Sequence, residues 1–375
     1  MGCFLQWSIF IVLLSGVVYI YSDVPHFESK VVKLTPVRQL VGALAPKKFI
    51  GKVDYILEGE VDGPECFVNK NGSLYTGLNS GELVKIVDGK IVKRIVVSDN
   101  PVCKSIRCSR PLGLRYWKEE KIAYTDAQLG LFVADFATGT IRQVMATTTF
   151  VGQWGNMFPD DLAFIDEDTV IFSDMSGKCG EDTFGRCFLE FAADGRLIQV
   201  NLKTGQWEVI AKDLISPNGV MQHIDKDSVL VAQTMLSRII RVYYKGPKKG
   251  QHEVFADGLP GIVDNLRESV SGKTFWIGLP FGANTKWRPL SQMLSEYPTI
   301  RRLIAYFPET VRQIAMAIGA PGYNVLIEMD FQGNVVQSIH DPENLLDIVT
   351  HIEDTGTHLY LGSFVKNVIR RIEKP

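Results

Sequence analysis

Six short stretches of the chain share a turn-like start, and most of them carry an oxygen-donor side chain just behind it. They are Gly63-Pro64-Glu65, Pro111-Leu112-Gly113, Pro159-Asp160-Asp161, Pro217-Asn218-Gly219, Val263-Asp264-Asn265 and Val349-Thr350-His351. Four of them place a carboxylate or carboxamide at or beside the equivalent position: Glu65, Asp160 or Asp161, Asn218, and Asp264 with Asn265. Oxygen donors without Cys or His suit a hard cation such as Ca²⁺, which takes about six to eight oxygen ligands. Any one of these stretches alone is ordinary turn chemistry, since Pro-Asn-Gly and Asp-Asn are common turn sequences. Recurrence at matched positions is what points to a metal. His351, at the last start, can face the same axis as a base or pack as a structural histidine. The chain's other histidines show no ligand spacing, and Gly-x-Ser-x-Gly, His-Glu-x-x-His, phosphate-loop and dinucleotide motifs are absent.

Far-separated donors act together only if the fold converges them. Between the starts, short runs rich in Val, Ile, Tyr and Phe are bounded by Gly, Asn and Asp, for example Leu131-Phe132-Val133-Ala134 and Thr169-Val170-Ile171-Phe172. Such spacing indicates an all-β sandwich, barrel or propeller. The starts recur about every 46 to 58 residues with one longer interval, which fits four-stranded propeller blades of about 40–50 residues. A six-bladed β-propeller over residues 51–375 follows. Val53-Asp54-Tyr55-Ile56-Leu57 is the expected closing strand beside the last blade. In a propeller the equivalent positions of successive blades meet at the central channel.

The long interval holds an insertion in blade five, near Pro289 to Gly319. Its apolar residues fall three or four apart, predicting two short amphipathic helices separated near Pro308. They can pack on the propeller, cover a pocket, or lie on a membrane with Arg301, Arg302 and Arg312 toward phosphate headgroups. Residues 22–50, interrupted by Pro25, Pro36 and Pro46, are expected to form a stalk. Phe4 to Tyr21 carries no charge, and that length spans roughly 27 Å as a helix, enough for a membrane core. Residues 1–21 are therefore expected to form an N-terminal transmembrane helix, an uncleaved signal anchor. No Lys or Arg precedes the apolar run, as a signal peptide would require. Lys30, Lys33 and Arg38 after it would by themselves favour the cytosol.

Cys103 with Cys108, and Cys179 with Cys187, are close enough in sequence for local disulfides in an oxidising compartment. Cys66 reads as a small buried hydrophobe. Asn71-Gly72-Ser73 is the sole N-glycosylation sequon, which would place Asn71 in a lumenal domain. With 40 Lys+Arg against 42 Asp+Glu, the chain shows no electrostatic footprint for nucleic acid.

Longer motifs extend the pattern: Arg110-Pro111-Leu112-Gly113-Leu114, Pro159-Asp160-Asp161-Leu162, Ser216-Pro217-Asn218-Gly219-Val220, Gly258-Leu259-Pro260-Gly261-Ile262-Val263-Asp264-Asn265, Ser338-Ile339-His340-Asp341-Pro342 and His358-Leu359-Tyr360-Leu361-Gly362-Ser363. Together they resemble the animal branch of the strictosidine synthase-like family. That resemblance implies a six-bladed propeller behind a type II signal anchor, lumenal or extracellular. The chain is also similar, more distantly, to calcium-dependent paraoxonases and gluconolactonases. The likeness implies metal ligands at Glu65, Asp160, Asn218 and Asp264, with Asn265 an added ligand. Asp161 or His351 is the candidate base on this reading of the residues. Asp160 stands where that wider group has Asn. Leu112 stands where paraoxonases have a histidine, and Phe275-Trp276-Ile277 is not followed by the glutamate of the plant synthases, so alkaloid condensation is not expected. The expected activity is hydrolysis of a small-molecule ester or lactone with Ca²⁺. The alternative is a non-catalytic propeller binding a protein or lipid at the membrane.

Overall fold

The computed structural model describes residues 7–8, 10–16, 27–46, 51–97, 108–153, 155–318 and 323–375. Six four-stranded antiparallel sheets surround one axis. Blade one holds β2 to β5 (Phe67–Lys70, Ser73–Gly77, Glu82–Val87, Lys90–Val96) and blade two β6 to β9 (Pro111–Tyr116, Lys121–Asp126, Gly130–Asp135, Thr140–Ala146). Blade three holds β10 to β13 (Pro159–Phe164, Thr169–Asp174, Gly195–Asn201, Trp207–Leu214) and blade four β14 to β17 (Pro217–Gln222, Ser228–Gln233, Arg238–Tyr243, His252–Ala256). Blade five holds β18 to β21 (Leu266–Glu268, Thr274–Leu279, Asn324–Asp330, Val335–Asp341). Blade six combines β22 to β24 (His351–Asp354, His358–Gly362, Ile369–Glu373) with β1 (Asp54–Ile56) from the other end of the chain.

That last pairing closes the ring. Strand β1 runs antiparallel to β24 with Asp54 opposite Arg371 and Ile56 opposite Ile369, and the Arg371 guanidinium bonds the Asp54 carboxylate at 2.7 Å. Each blade is apolar on both faces because each lies between two others, so successive residues of a strand serve different interfaces. Ile122 and Tyr124 pack toward blade one, and Ala123 between them packs toward blade three. Six such clusters, one per blade interface, make up most of the core.

Two excursions rise above the end of the channel where the innermost strands begin. Between β11 and β12 lies helix α1 (Phe184–Glu190), tied to its approach by a Cys179–Cys187 disulfide. Between β19 and β20 lie α2 (Leu290–Met293), α3 (Pro298–Ala305) and α4 (Glu309–Ile318). Arg301 and Arg312 do not face outward as headgroup-binding cations would. Arg301 is fully buried and donates to the carbonyls of Leu189 (2.6 Å), Glu190 (3.2 Å) and Ser295 (3.0 Å), and also to that of Lys30. Arg312 donates to Ala305 O (2.7 Å) and Phe307 O (2.6 Å) and pairs with Glu309. These guanidiniums satisfy carbonyls left open at helix ends. Arg302 is exposed.

Residues 27–46 run as an extended strap along the propeller. Phe27 packs with Leu189, Ile304 and Ala305, Arg38 N donates to Gly258 O at 2.8 Å, and Leu44 enters the cluster between blades four and five. Residues 7–8 and 10–16 are helical, and among the described residues no helix is long and apolar enough to cross a membrane. The rest of the expected 1–21 anchor, residues 22–26 and 47–50 of the expected stalk, and Cys103 lie outside the described residues; Cys108 is disulfide-bonded. Asn71 is exposed at the tip of the β2–β3 hairpin, where Asn71 and Gly72 both take positive φ, the two-residue turn that Asn-Gly favours.

Arg301 joins the strap, α1 and α3, so its removal should loosen all three. Arg301→Ala leaves several buried carbonyls unpaired and is expected to cost about 2–4 kcal/mol. Urea unfolding followed by tryptophan fluorescence reads this; an unchanged midpoint would refute the bracing role.

Candidate metal centre and pocket

The innermost strands of blades two, three and four carry the same irregularity. Pairing slips between Pro111 and Leu114, between Pro159 and Leu162, and between Pro217 and Val220. A bulge of this kind re-aims the residues within it. Hydroxyls on the second strands pin it: Thr125 Oγ1 accepts Gly113 N–H (3.0 Å) and donates to Asp160 O, and Ser173 Oγ accepts Asp161 N–H (3.0 Å). The consequence is two stacked layers along the axis.

The upper layer forms the floor of a pocket of about 580 Å³ and brings Glu65, Asp160, Asn218 and Asp264 together beside Leu112. Asn218 Nδ2 lies 3.4 Å from Asp160 Oδ2. Asn265 is drawn in from just below, and its Nδ2 donates to Glu65 Oε1 (2.6 Å) and Asp264 Oδ1 (3.3 Å). Glu65 Oε2 and Asn218 Oδ1 are buried with no hydrogen-bond partner. Burial raises the pKa of Glu65, Asp160 and Asp264; the charge of Glu65 adds to the rise at the two aspartates, whereas Arg110 offsets part of it at Glu65. Three buried carboxyls thus share a site that a cation would relieve, and the unpartnered oxygens belong to hard-cation donors. Among the described residues no group of three or more His, Cys, Asp or Glu side chains is placed to hold a metal ion, and a ligand set here would need the amide of Asn218 as well.

The lower layer is different. Asp161 is fully buried and gripped by two guanidiniums: Arg267 through Nη1–Oδ2 (2.8 Å) and Nη2–Oδ1 (2.9 Å), and Arg115 through Nη1–Oδ1 (3.1 Å). It also accepts Val220 N–H at 2.9 Å. Burial opposes its ionisation, but Arg115 and Arg267 outweigh that and hold its pKa below the usual carboxylate range. Arg267 Nη2 also reaches Cys66 Sγ at 2.9 Å, and burial pushes that thiol up to about 12. His351 is buried, with neither ring nitrogen hydrogen-bonded, and stacks edge-on against Phe67. Burial, then Arg267 and Arg115, drive its pKa well down, so it is neutral. Neither Asp161 nor His351 lines the upper pocket. Below this plug the opposite mouth of the channel opens between Arg115, Arg267 and Glu353, whose carboxyl burial raises to about 7. Glycine is required between the layers: a Cβ on Gly113 would stand 2.5 Å from Asp161 Oδ1 and 2.8 Å from Asp160 O.

The pocket walls are mostly apolar, with Phe158, Met175, Phe184, Phe188, Phe281 and Phe364 among them, and the helical excursions contribute Pro289, Ser291 and Gln313. Arg110 also lines it. Its guanidinium is tethered to Gly63 O (3.2 Å) and Pro111 O (3.3 Å), with Glu181 at 3.6 Å. Nothing in the sequence pattern marks Arg110 beyond its place beside Pro111.

Comparison with known proteins agrees with this architecture. A family model described as strictosidine synthase matches residues 160–247, and one described as strictosidine synthase-like, N-terminal, matches 42–86. Adipocyte plasma membrane-associated protein of Salmo salar is 32% identical over 330 residues, covering 86% of this chain and 78% of that protein. Its Gallus gallus counterpart is 32% identical over 345 residues, covering 89% and 80%. The chain belongs to the strictosidine synthase-like family. Among solved structures, a gluconolactonase from Xanthomonas campestris is similar with a TM-score of 0.56 at 13% identity, covering 94% of this chain and 99% of that one. Regucalcin from Agrobacterium tumefaciens, described as calcium-binding, gives 0.56 at 15%, covering 87% and 94%. At these identities the likeness establishes the shared propeller fold.

The two layers have opposite pH behaviour. A carboxyl whose pKa is higher in the folded than in the unfolded chain binds extra protons on folding, so its contribution declines as pH rises past its unfolded value. Glu65, Asp160 and Asp264 are of this kind. Asp161 is the reverse, its contribution being present above about pH 4 and lost below it. In chelator the full chain's melting temperature should fall as pH rises above the ordinary carboxylate range of about 4, and millimolar calcium should restore more at the higher pH. Asp264→Asn should flatten both trends; melting curves that respond to neither pH nor calcium would rule out a charged, cation-ready ring.

Proposed function

We propose that this protein is a calcium-dependent hydrolase of ester or lactone substrates, held at a membrane by its N-terminal segment with the propeller on the lumenal or extracellular side. The observation that carries the chemistry is the set of unpaired buried oxygens on Glu65 and Asn218, beside the Asp160 and Asp264 carboxyls, at the floor of a deep apolar pocket. The disulfide within the α1 excursion supports an oxidising compartment.

Glu65, Asn218 and Asp264 would hold the ion, with Asn265 orienting Glu65 through its amide N–H. Bound calcium would polarise the substrate carbonyl oxygen and stabilise the charge that develops on it. The chain's own residues supply the rest. Apolar walls exclude water from the acyl or aryl portion, and the Arg110–Glu181 pair borders it on one side. Two carboxylates balance a divalent charge, which leaves Asp160 to take a proton from the attacking water. Asp160 receives only the long bond from Asn218, which leaves its carboxylate able to accept that proton. Asp161 and His351 are assigned to the plug beneath, Asp161 by its two arginines and His351 by its burial away from the pocket.

Phenyl acetate turnover by the full chain, with and without chelator, tests this. Glu65→Gln should abolish both turnover and calcium stabilisation. Asp160→Asn should lower turnover about 10²–10⁴-fold while keeping the stabilisation by calcium. Chelator-insensitive turnover, or full activity in Glu65→Gln, would exclude the ring from catalysis.

A further inference from the structure

The helices inserted in blade five are turned inside out. In α3 the buried side chains are Arg301 and Ala305, whereas Ile300 and Leu303 face solvent. In α4 Arg312 is buried while Val311 is exposed. With Met293, Tyr297 and Phe307, these form a series every three or four residues, each 38–58% exposed. Tyr297 O accepts from Arg301 N–H and Ile304 O from Phe307 N–H, so Tyr297 to Phe307 is one helical stretch and its apolar members share a face. Soluble amphipathic helices bury this stripe. Here the inward side is occupied by guanidiniums capping carbonyls, which leaves the apolar side outward.

The chain's own connectivity says what meets this face. Phe27 is packed against Ile304 and Ala305, and Ser29 Oγ donates to Pro298 O at 2.9 Å. Phe27, six residues after the uncharged segment ends at Tyr21, therefore lies at the helices carrying the stripe. Six Cα steps separate Tyr21 from Phe27, and an extended chain gains at most about 3.6 Å per residue, a reach of roughly 22 Å. A bilayer holding Phe4 to Tyr21 is thus within that reach of α3. Exposed Lys30, Lys33 and Arg302 are largely offset by exposed Glu28 and Glu296, so the distinguishing property of this surface is apolar character rather than charge.

We propose that the outward face of α3 and its neighbours, with Tyr297, Ile300, Leu303 and Phe307 at its centre, rests in the interfacial region of the lipid bilayer that holds the N-terminal segment. Pro289, Ser291 and Gln313 of the same insertion line the pocket, so its mouth opens beside the membrane and apolar substrates can enter from lipid. The proposal rests on the membrane attachment inferred above, and the two can fail separately.

The test uses the full chain in phosphatidylcholine vesicles, with Cys3→Ser to free the N-terminus of thiol. An environment-sensitive fluorophore is placed on Leu303→Cys or, as control, on Ile224→Cys, which is exposed at the opposite mouth of the channel. Both labelled proteins must keep the parent melting temperature. The expected result is flotation of both with the vesicles and quenching by lipid-borne nitroxide of about twofold or more at residue 303 alone, as for a face lying roughly 5–10 Å into the boundary. Flotation with no quenching at 303 would overturn the docking face while leaving the attachment intact. Failure to float would overturn the attachment and the docking face together. A concentration-dependent blue shift at 303 without nitroxide quenching would assign the face to a second copy of the chain and equally overturn the proposal.

Discussion

Three carboxyls buried within one small space, each disfavoured in its charged form, are the constraint on which the rest of this molecule turns. Glu65, Asp160 and Asp264 come from blades one, three and five, and their mutual repulsion is only partly met by Arg110 and by the amides of Asn218 and Asn265. Keeping such a cluster costs stability unless a cation or protons occupy it. One layer below, the same problem is solved internally, since Asp161 has two guanidiniums of its own. The chain therefore neutralises the lower layer with side chains and leaves the upper layer open.

The backbone devices that achieve this are small. A bulge at the start of an inner strand lets Asp160 and Asp161, adjacent in sequence, serve different layers. Thr125 and Ser173 fix the bulge by hydrogen bonds to its backbone, and Gly113 leaves room where a side chain would strike Asp161. Ring closure by β1 against β24 then fixes blade six beside blade one, which sets Glu65 against the rest. Because each blade interface is a separate apolar cluster, the floor of the pocket is held by the whole ring and by no single element.

Much of this is legible from the residues. Recurrence of the blade starts yields the ring of six, and Val53 to Leu57 contains the strand that closes it. Glu65, Asn218 and Asp264 stand out because their positions match across blades. The choice between Asp160 and Asp161 is not decidable from sequence, since a bulge cancels the alternation that would assign faces. Arg115 and Arg267 leave no pattern because they recur in only two blades and acquire meaning only opposite Asp161. Arg301 and Arg312 look like outward cations in an amphipathic pattern whose sense is reversed by open carbonyls on the inner side. Residues 27–46 look like a stalk because their prolines exclude helix; their contacts, such as Arg38 to Gly258, are with backbone far away along the chain and leave no local signature.

The most direct measurement is the calcium content of the purified full chain, determined by elemental analysis after equilibration with micromolar to millimolar calcium, in parallel with Glu65→Gln and Asp161→Asn. The proposed calcium site predicts one saturable ion per chain that is lost when Glu65 is neutralised. Saturation without dependence on Glu65, or no bound calcium at millimolar concentration, would show that these carboxyls converge for some other reason.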